Sequence, residues 1–293
     1  MHREARKNET RDAGHVRIRR ISRVPNLVSR VSTPTMRLTR IYTPGPLAAD
    51  TNISLTPSGA NHVVRVLRLR VGDEIGVFDG DGNEFRATIE SVKGSRVIVR
   101  IGETVPTEND SSMHITLIQG VSRGERMDWV VQKATELGVV SIVPVITARS
   151  VVKLDRAQSA KKQEHWRSIA IGACEQCGRA RIPEIATPIS LQEYLRAIPD
   201  DSGNGDTPHF ASHFEIVLDP TASQSLASMA SGNGECPHFR LLIGPEGGLD
   251  DDELAAALRA GFISLKLGPR ILRTETAAVA AIAVLQAKWG DLR

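Results

Sequence analysis

Two rhythms of hydrophobic and polar positions divide this chain. Between residues 36 and 105, short runs of Val, Ile and Phe are cut every few residues by Gly, Asp or Asn, as in VVRVLRLRVGDEIGVFDGDGNEFRATIESVKGSRVIVRIGE. Such runs predict short strands joined by tight turns. Asp79-Gly80-Asp81-Gly82-Asn83 and Lys93-Gly94-Ser95 supply the turns, because Asn, Asp and Gly tolerate the backbone angles that hairpin loops demand. Strands so short and closely spaced fit a small β-barrel, with 57–62 as a short helix over it. The polar stretch PTENDSSM at 106–113 reads as a linker. From 114 onward the rhythm lengthens. HITLIQGV, VSIVPVIT, IVLDP, FRLLIGP and ISLKLG are apolar runs of strand length, and helical spacing marks RMDWVVQKATELGV, 157–177, 250–261 and 276–289. Asp250-x-x-Glu253 is a capping box, and Gly138 and Gly261 are helix stops. Strands alternating with helices predict an α/β domain over 114–293, with a mainly parallel sheet covered on both faces. The Gly/Ser/Asn-rich stretches 200–213 and 231–238 read as loops.

Charge and cysteine content narrow the picture. The net charge of +3 suggests an acidic partner, yet residues 1–35 hold nine Arg or Lys against three acids, which leaves 28 basic and 31 acidic residues for the rest. The folded part is therefore slightly acidic, and RNA binding would require local arginine clusters. Residues 1–35 read as a disordered extension, ordered pattern starting at Met36. Aromatic residues make up only 4%, so few rings are available to stack bases. Three cysteines in so long a chain argue against a disulfide framework, and Cys174-x-x-Cys177 has no second pair to complete a zinc site, so no metal is expected. No apolar run reaches 18 residues and no signal-type segment opens the chain, which predicts a cytoplasmic protein with no membrane contact.

Two strand-to-helix junctions carry the chemistry. Ile243-Gly244-Pro245-Glu246-Gly247-Gly248 follows one apolar strand and precedes a capped helix. Its glycines let main-chain groups approach a ligand closely, and ligands of open α/β sheets bind outside the carboxyl ends of strands. Leu265-Lys266-Leu267-Gly268 then leads through Pro269-Arg270-Ile271-Leu272-Arg273 into Thr274-Glu275-Thr276 at the last helix. There Ile271 and Leu272 suit a clamp on adenine, and Arg270 or Arg273 suits an anion. Neither a GxxxxGK[ST] nor a GxGxxG pattern occurs, which disfavours a nucleoside triphosphatase and a dinucleotide oxidoreductase.

Together GPEGG and LGPRILRTETA resemble the SPOUT superfamily and, within it, the ribosomal-RNA small-subunit methyltransferase E family. HVVRVLR at 62–68 with Gly72-Asp73, QKATELG at 132–138, Arg149-Ser150, and ACEQCGR at 173–179 leading to Ile182-Pro183 carry the likeness in the same order across roughly 36–290. The resemblance implies an N-terminal PUA-like barrel at 36–105 and a SPOUT domain with a deep trefoil knot that dimerises. It implies methylation of uracil N3 in 16S rRNA of the 30S subunit by S-adenosylmethionine. On this likeness the cofactor would lie against Leu218, Ile243, Gly244, Pro245, Glu246, Gly247, Gly248, Leu267, Gly268, Ile271, Leu272, Arg273 and Thr276. Uracil N3 is a neutral imide, so its methylation needs a base or cations that stabilise the resulting anion. Arg273 and Arg126 are the expected catalytic cations; Glu246, Glu136 and Glu175 are the candidate bases or orienters. Arg65, Arg68 and Arg70, with Arg123, Arg149 and Arg179, are the expected RNA contacts, and His62 either touches RNA or caps a helix. A ribose 2′-O methyltransferase of the same superfamily and a non-catalytic ribosome-assembly module are the competing readings.

Overall fold

A computed structural model describes residues 38–107, 109–151, 154–198, 213–229 and 238–292. Residues 1–35, Cys236 and almost all of the loops expected at 200–213 and 231–238 lie outside the described residues.

The first domain comprises β1 (Arg40–Tyr42), β2 (Asn52–Ser54), α1 (Pro57–Asn61), β3 (Glu74–Phe78), β4 (Glu84–Lys93) and β5 (Arg96–Val105). Its five strands pair in the order β1-β3-β4-β5-β2, antiparallel except that β1 runs parallel to β3. Ile75, Val77, Ile89, Val97, Val99 and Ile101 alternate inward and meet Ile41 and Val63 in one core. Both hairpin turns fall where Asp79–Asn83 and Gly94-Ser95 place them. One segment differs. The short helix expected beside the VVRVLR run is present as α1, and the run itself begins as a single π-helical turn at His62–Val66 rather than as a strand. Thr56 caps Gly59 N and Pro57 opens the helix, so local start signals outweigh the β-propensity of the valines. Arg65, Val66 and Arg68 are left exposed, Arg68 with φ of 57°.

The second domain runs β6 (His114–Gly120), α2 (Glu125–Glu136), β7 (Ser141–Ile146), α3 (Arg156–Cys177), β8 (Glu184–Ile185), β9 (Ile189–Ser190), α4 (Leu191–Ala197), β10 (His213–Leu218), β11 (His238–Ile243), α5 (Asp251–Arg259), β12 (Ile263–Leu265) and α6 (Thr274–Trp289). Its sheet is parallel throughout, ordered β12-β10-β11-β6-β7-β8, with β9 beside β7. Alternate strand residues serve opposite faces. Leu117 and Leu241 pack with Val130, Trp166 and Ile282 from α2, α3 and α6, whereas Ile118 and Leu242 pack with Leu191, Ala257 and Phe262 around α4 and α5. Residues 184–197 gave no readable pattern because β8 and β9 are two residues each and α4 is seven. A Ser190–Glu193 capping box nevertheless starts α4. Because β11 lies between β6 and β10, the chain reverses direction across the sheet there, which opens a crevice at the carboxyl ends of the central strands.

At the opposite edge, His114, His238 and His213 stand in register at the first positions of β6, β11 and β10, with ring centroids 4.8 and 5.3 Å apart. Burial, reinforced by His114, His213 and Arg240, pushes the His238 imidazole down from 6.5 to about 4. The folded state then binds fewer protons than the unfolded chain between those values, so this contribution to stability is complete above about pH 6.5 and is lost as pH falls toward 4. The urea midpoint should fall on acidification from pH 7 to 4.5, and His238→Asn should flatten that fall; an unchanged slope in the variant contradicts the assignment.

Candidate functional site

Three chain segments meet at the carboxyl edge of the second domain's sheet. Residues 218–221 after β10, 243–249 after β11 and most of 265–275 between β12 and α6 line one cavity of about 650 Å³. That size suits a small organic ligand. Main-chain contact brings the segments together. A Cβ built at Gly120, the last residue of β6, falls 2.8 Å from the Gly244 carbonyl carbon and closer still to Pro245 N, so the end of β6 and the GPEGG loop touch backbone to backbone. Thr274 locks the crossing. Its buried hydroxyl donates to Gly244 O at 2.7 Å and accepts from Gln119 Nε2 at 2.9 Å, tying β6, the loop after β11 and the start of α6 at one point.

The GPEGG loop is held from the side by charged groups. Glu246 accepts from Arg123 N at 3.0 Å and pairs with Arg126 Nη1 at 2.8 Å. Burial works against ionisation of Glu246, but bonds from its own backbone N–H, Arg123 N and Arg126 outweigh it and hold the carboxyl below the usual range. Arg149 Nη1 donates to Gly247 O at 3.1 Å, and a Cβ at Gly247 would fall 2.9 Å from Arg149 Cβ. Glu253 completes the frame by accepting from Ala148 N at 2.7 Å. On the β10 side, burial likewise opposes ionisation of Asp219, and bonds from the Thr221 hydroxyl, Thr221 N and Ser264 Oγ prevail, so this carboxyl too is held low.

Most residues singled out in the sequence converge here. Leu218, Ile243, Gly244, Pro245, Glu246, Gly247, Gly248, Leu267, Gly268, Ile271, Leu272 and Arg273 all line the cavity, with Arg126 and Arg149. Ile271 does so from the rim, 85% exposed. Thr276 does not line it. The last helix begins at Thr274, two residues earlier than the sequence suggested, so Thr276 turns outward and Thr274 faces in. Arg123 contributes its backbone N–H, its side chain being outside the lining. Arg65, Arg68 and Arg70 are exposed on the first domain.

Arg179 is not an exposed cation. It is 4% exposed, and its guanidinium donates to Thr135 O, Val139 O and Asp110. Its charge answers the carboxyl end of α2, leaving nothing to present to RNA. Two of the candidate bases also lie elsewhere: Glu136 pairs with Lys133 at 2.8 Å, and Glu175 accepts from Tyr42 N at 3.0 Å. Burial pushes the Cys174 thiol up to about 12, which makes it inert, and among the described residues no group of three or more His, Cys, Asp or Glu is arranged to hold a metal. Sequence reasoning missed Gly120, Gln119 and Asp219. A glycine ending an apolar strand one element away from GPEGG was the available signal for the first.

Comparison with known proteins gives this cavity its context. Residues 109–286 match the model of an RNA methyltransferase domain, and 55–102 match that of an RNA methyltransferase PUA domain. The fold and site thus define an RNA methyltransferase carrying a PUA domain. Proteins named ribosomal RNA small subunit methyltransferase E from Buchnera aphidicola (of Schizaphis graminum) and Bacillus subtilis are 34% and 31% identical to it, over 87% and 82% of this chain and 98% and 91% of theirs. The enzyme of that name from Neisseria gonorrhoeae, solved bound to S-adenosyl methionine, superposes with a TM-score of 0.77 at 35% identity, covering 88% of this chain and all of that one. A Legionella pneumophila methyltransferase solved with bound cofactor SAM gives a TM-score of 0.79 at 42% identity, covering 87% of this chain and 100% of its own. The chain belongs to the ribosomal RNA small subunit methyltransferase E family.

The backbone crossing has a direct test. Gly120→Ala should cost about 1–3 kcal/mol of stability, the usual penalty for forcing an extra carbon into a packed site. Urea denaturation measures this, and a midpoint equal to wild type would mean that β6 and the GPEGG loop do not touch in solution.

Proposed function

We propose that this protein transfers the methyl group of S-adenosylmethionine to N3 of a uridine in 16S rRNA, as the small ribosomal subunit's modifying enzyme. The observation that carries this reading is the convergence of the 243–248 and 265–275 segments on one cavity. The residues fit the cofactor. Leu218, Ile243, Leu267, Leu272 and Ala277 offer an apolar slot for an adenine ring, and the glycine-flanked loops offer main-chain groups that side chains would cover. When bound, the cofactor supplies an electrophilic methyl on a sulfonium.

The chain's own part is to hold the uracil, orient it and stabilise its anion. Arg126 and Arg149 are already engaged by Glu246 and Gly247 O. Arg270 and Arg273 line the same cavity and their guanidiniums make no hydrogen bond or ion pair among the described residues, so their charge is available to a developing O2/O4 anion. Arg273, immediately before the buried Thr274, is the better-anchored of the two and is assigned that role. Glu246 acts by fixing the loop and Arg126. Exposed Arg65, Arg68 and Arg70 hold phosphates from the PUA side. The target base must be unpaired or flipped out, since N3 is engaged in a duplex.

The same reading includes the knot and a homodimer. The knot is supported by β11 lying between β10 and β6 while Thr274 is tied back to Gly244. The dimer is supported by α6. This helix is apolar on every side, yet Thr276, Ala280, Ala283 and Ala287 form a stripe that the second domain leaves uncovered or half-covered. Ala283→Glu should convert a dimer to a monomer in analytical ultracentrifugation, and a variant that sediments as wild type removes α6 from the interface.

Methylation of unmodified 30S particles with labelled S-adenosylmethionine, followed by nuclease digestion and mass spectrometry, decides the reaction. N3-methyluridine is expected, and a ribose methyl or no transfer rejects the proposal. Arg273→Ala should lower turnover more than tenfold at unchanged cofactor affinity, and full turnover would remove Arg273 from the chemistry.

A further inference from the structure

We infer that Arg40 and Arg179 are positioning residues of RNA methylation: two buried guanidiniums in series that fix the angle at which the PUA domain presents RNA to the catalytic cavity. The inference rests on the reading above that the PUA domain holds RNA.

Arg40 lies on β1 and is 7% exposed. Within its own domain, Nε and Nη2 grip Glu84 in a two-pronged pair at 3.0 and 2.8 Å, and the guanidinium sits 4.5 Å from the centre of the Phe78 ring. Across the seam, Nη1 donates to Cys174 O and Nη2 to Arg179 O at 3.0 Å. Those acceptors are at and just beyond the carboxyl end of α3, where the helix dipole is negative; Cys174 O, which also accepts from Gly178 N at 3.1 Å, uses its second lone pair for Arg40. Arg40 therefore closes an end of α3 with a charge anchored in the PUA domain.

Arg179 repeats the arrangement one helix further on. Its Nη1 donates to Thr135 O at 2.7 Å and Val139 O at 3.0 Å, around the carboxyl end of α2, while Nε holds Asp110 of the connecting segment at 3.2 Å. The other end of α2 begins at Glu125 and carries Arg126, the partner of Glu246 in the cavity. The series thus runs from β1 through the ends of α3 and α2 to the wall of the catalytic cavity. Neither arginine lines that cavity. Buried charge pairs add little stability over apolar packing of the same shape, but removing one partner is costly and the pair admits few alternative geometries. A fixed seam matters to a substrate held by two domains at once, because the binding contributed by the PUA domain adds to that of the cavity only when the geometry lets both engage together.

The test uses full-length protein and unmodified 30S particles. R40M/E84L replaces the buried pair with apolar groups and leaves no orphan charge. It should keep its circular dichroism and bind S-adenosylmethionine within twofold of wild type, while KM for 30S rises at least tenfold and kcat stays within threefold. A folded double variant with wild-type KM overturns the inference. If the double variant fails to fold, E84Q takes its place: it keeps the side-chain shape and removes only the charge, and should raise KM at least threefold with cofactor affinity unchanged. Wild-type KM in E84Q also overturns the inference. R65A/R68A/R70A separates the two levels. A raised KM in that triple variant, beside a normal KM in R40M/E84L, rejects the seam alone; a normal KM in the triple variant rejects RNA binding by the PUA domain itself.

Discussion

The cavity edge of this protein's parallel sheet is tied together by one hydroxyl. Thr274 Oγ1 receives the Gln119 amide and donates to Gly244 O, so three segments distant in sequence share a single buried atom. Neutral hydrogen bonds contribute only about 1 kcal/mol each to stability. Their weight here is geometric. The Thr274 hydroxyl sets where the GPEGG loop rests against β6 and the register of the start of α6 beside them. The absence of a side chain at Gly120 permits the contact, and Thr274 keeps it closed.

Around this crossing the charged residues divide into two sets. Arg126, Arg149 and Glu253 bond to loop atoms and make a rigid rim from mobile chemistry. Arg270 and Arg273 are left without partners among the described residues. A rim of paired groups favours one loop arrangement, and the exposed Arg270 and Arg273 are solvated at little cost until a ligand displaces the water. Arg40 and Arg179 make a third use of guanidinium, closing helix ends at the domain seam. Arginine suits all three tasks because its planar fork reaches several acceptors at once.

How much of this was legible in the sequence depended on whether the signal was local. Strand and helix periods, hairpin turns and both glycine-rich junctions are set within a few residues, and the α/β order could be read from them. Arg179 and Arg126 looked alike in the sequence. What separates them is that the GRAR segment dives under the PUA domain, so that Arg179 meets backbone carbonyls of α2, whereas Arg126 stands on the first turn of a helix facing open space. Thr276 and Thr274 show the same limit at finer scale: a helix start displaced by two residues exchanges the inward and outward faces. The π-helical turn at His62–Val66 escaped because β-branched residues favour strands until capping and a core position for Val63 decide otherwise.

The protonation states in the cavity bear on how the proposed reaction is driven. A general base for a uracil imide should have its proton affinity raised toward neutrality. Glu246 and Asp219 are instead held low, each by donors that saturate the carboxylate. Two carboxylates kept ionised by hydrogen bonds are poor proton acceptors and good struts. For the proposed uracil chemistry, the guanidiniums without partners fit a site that would lower the energy of the anion where it forms and let solvent take the proton. Catalysis of that kind needs its charges fixed before substrate arrives, because a cation that must swing into place loses much of its advantage to reorganisation. Arg273, proposed for that role, meets the need only in part. The crossing holds its backbone through Thr274, and on the proposed reading the guanidinium, exposed and without a partner among the described residues, is ordered by the substrate it meets.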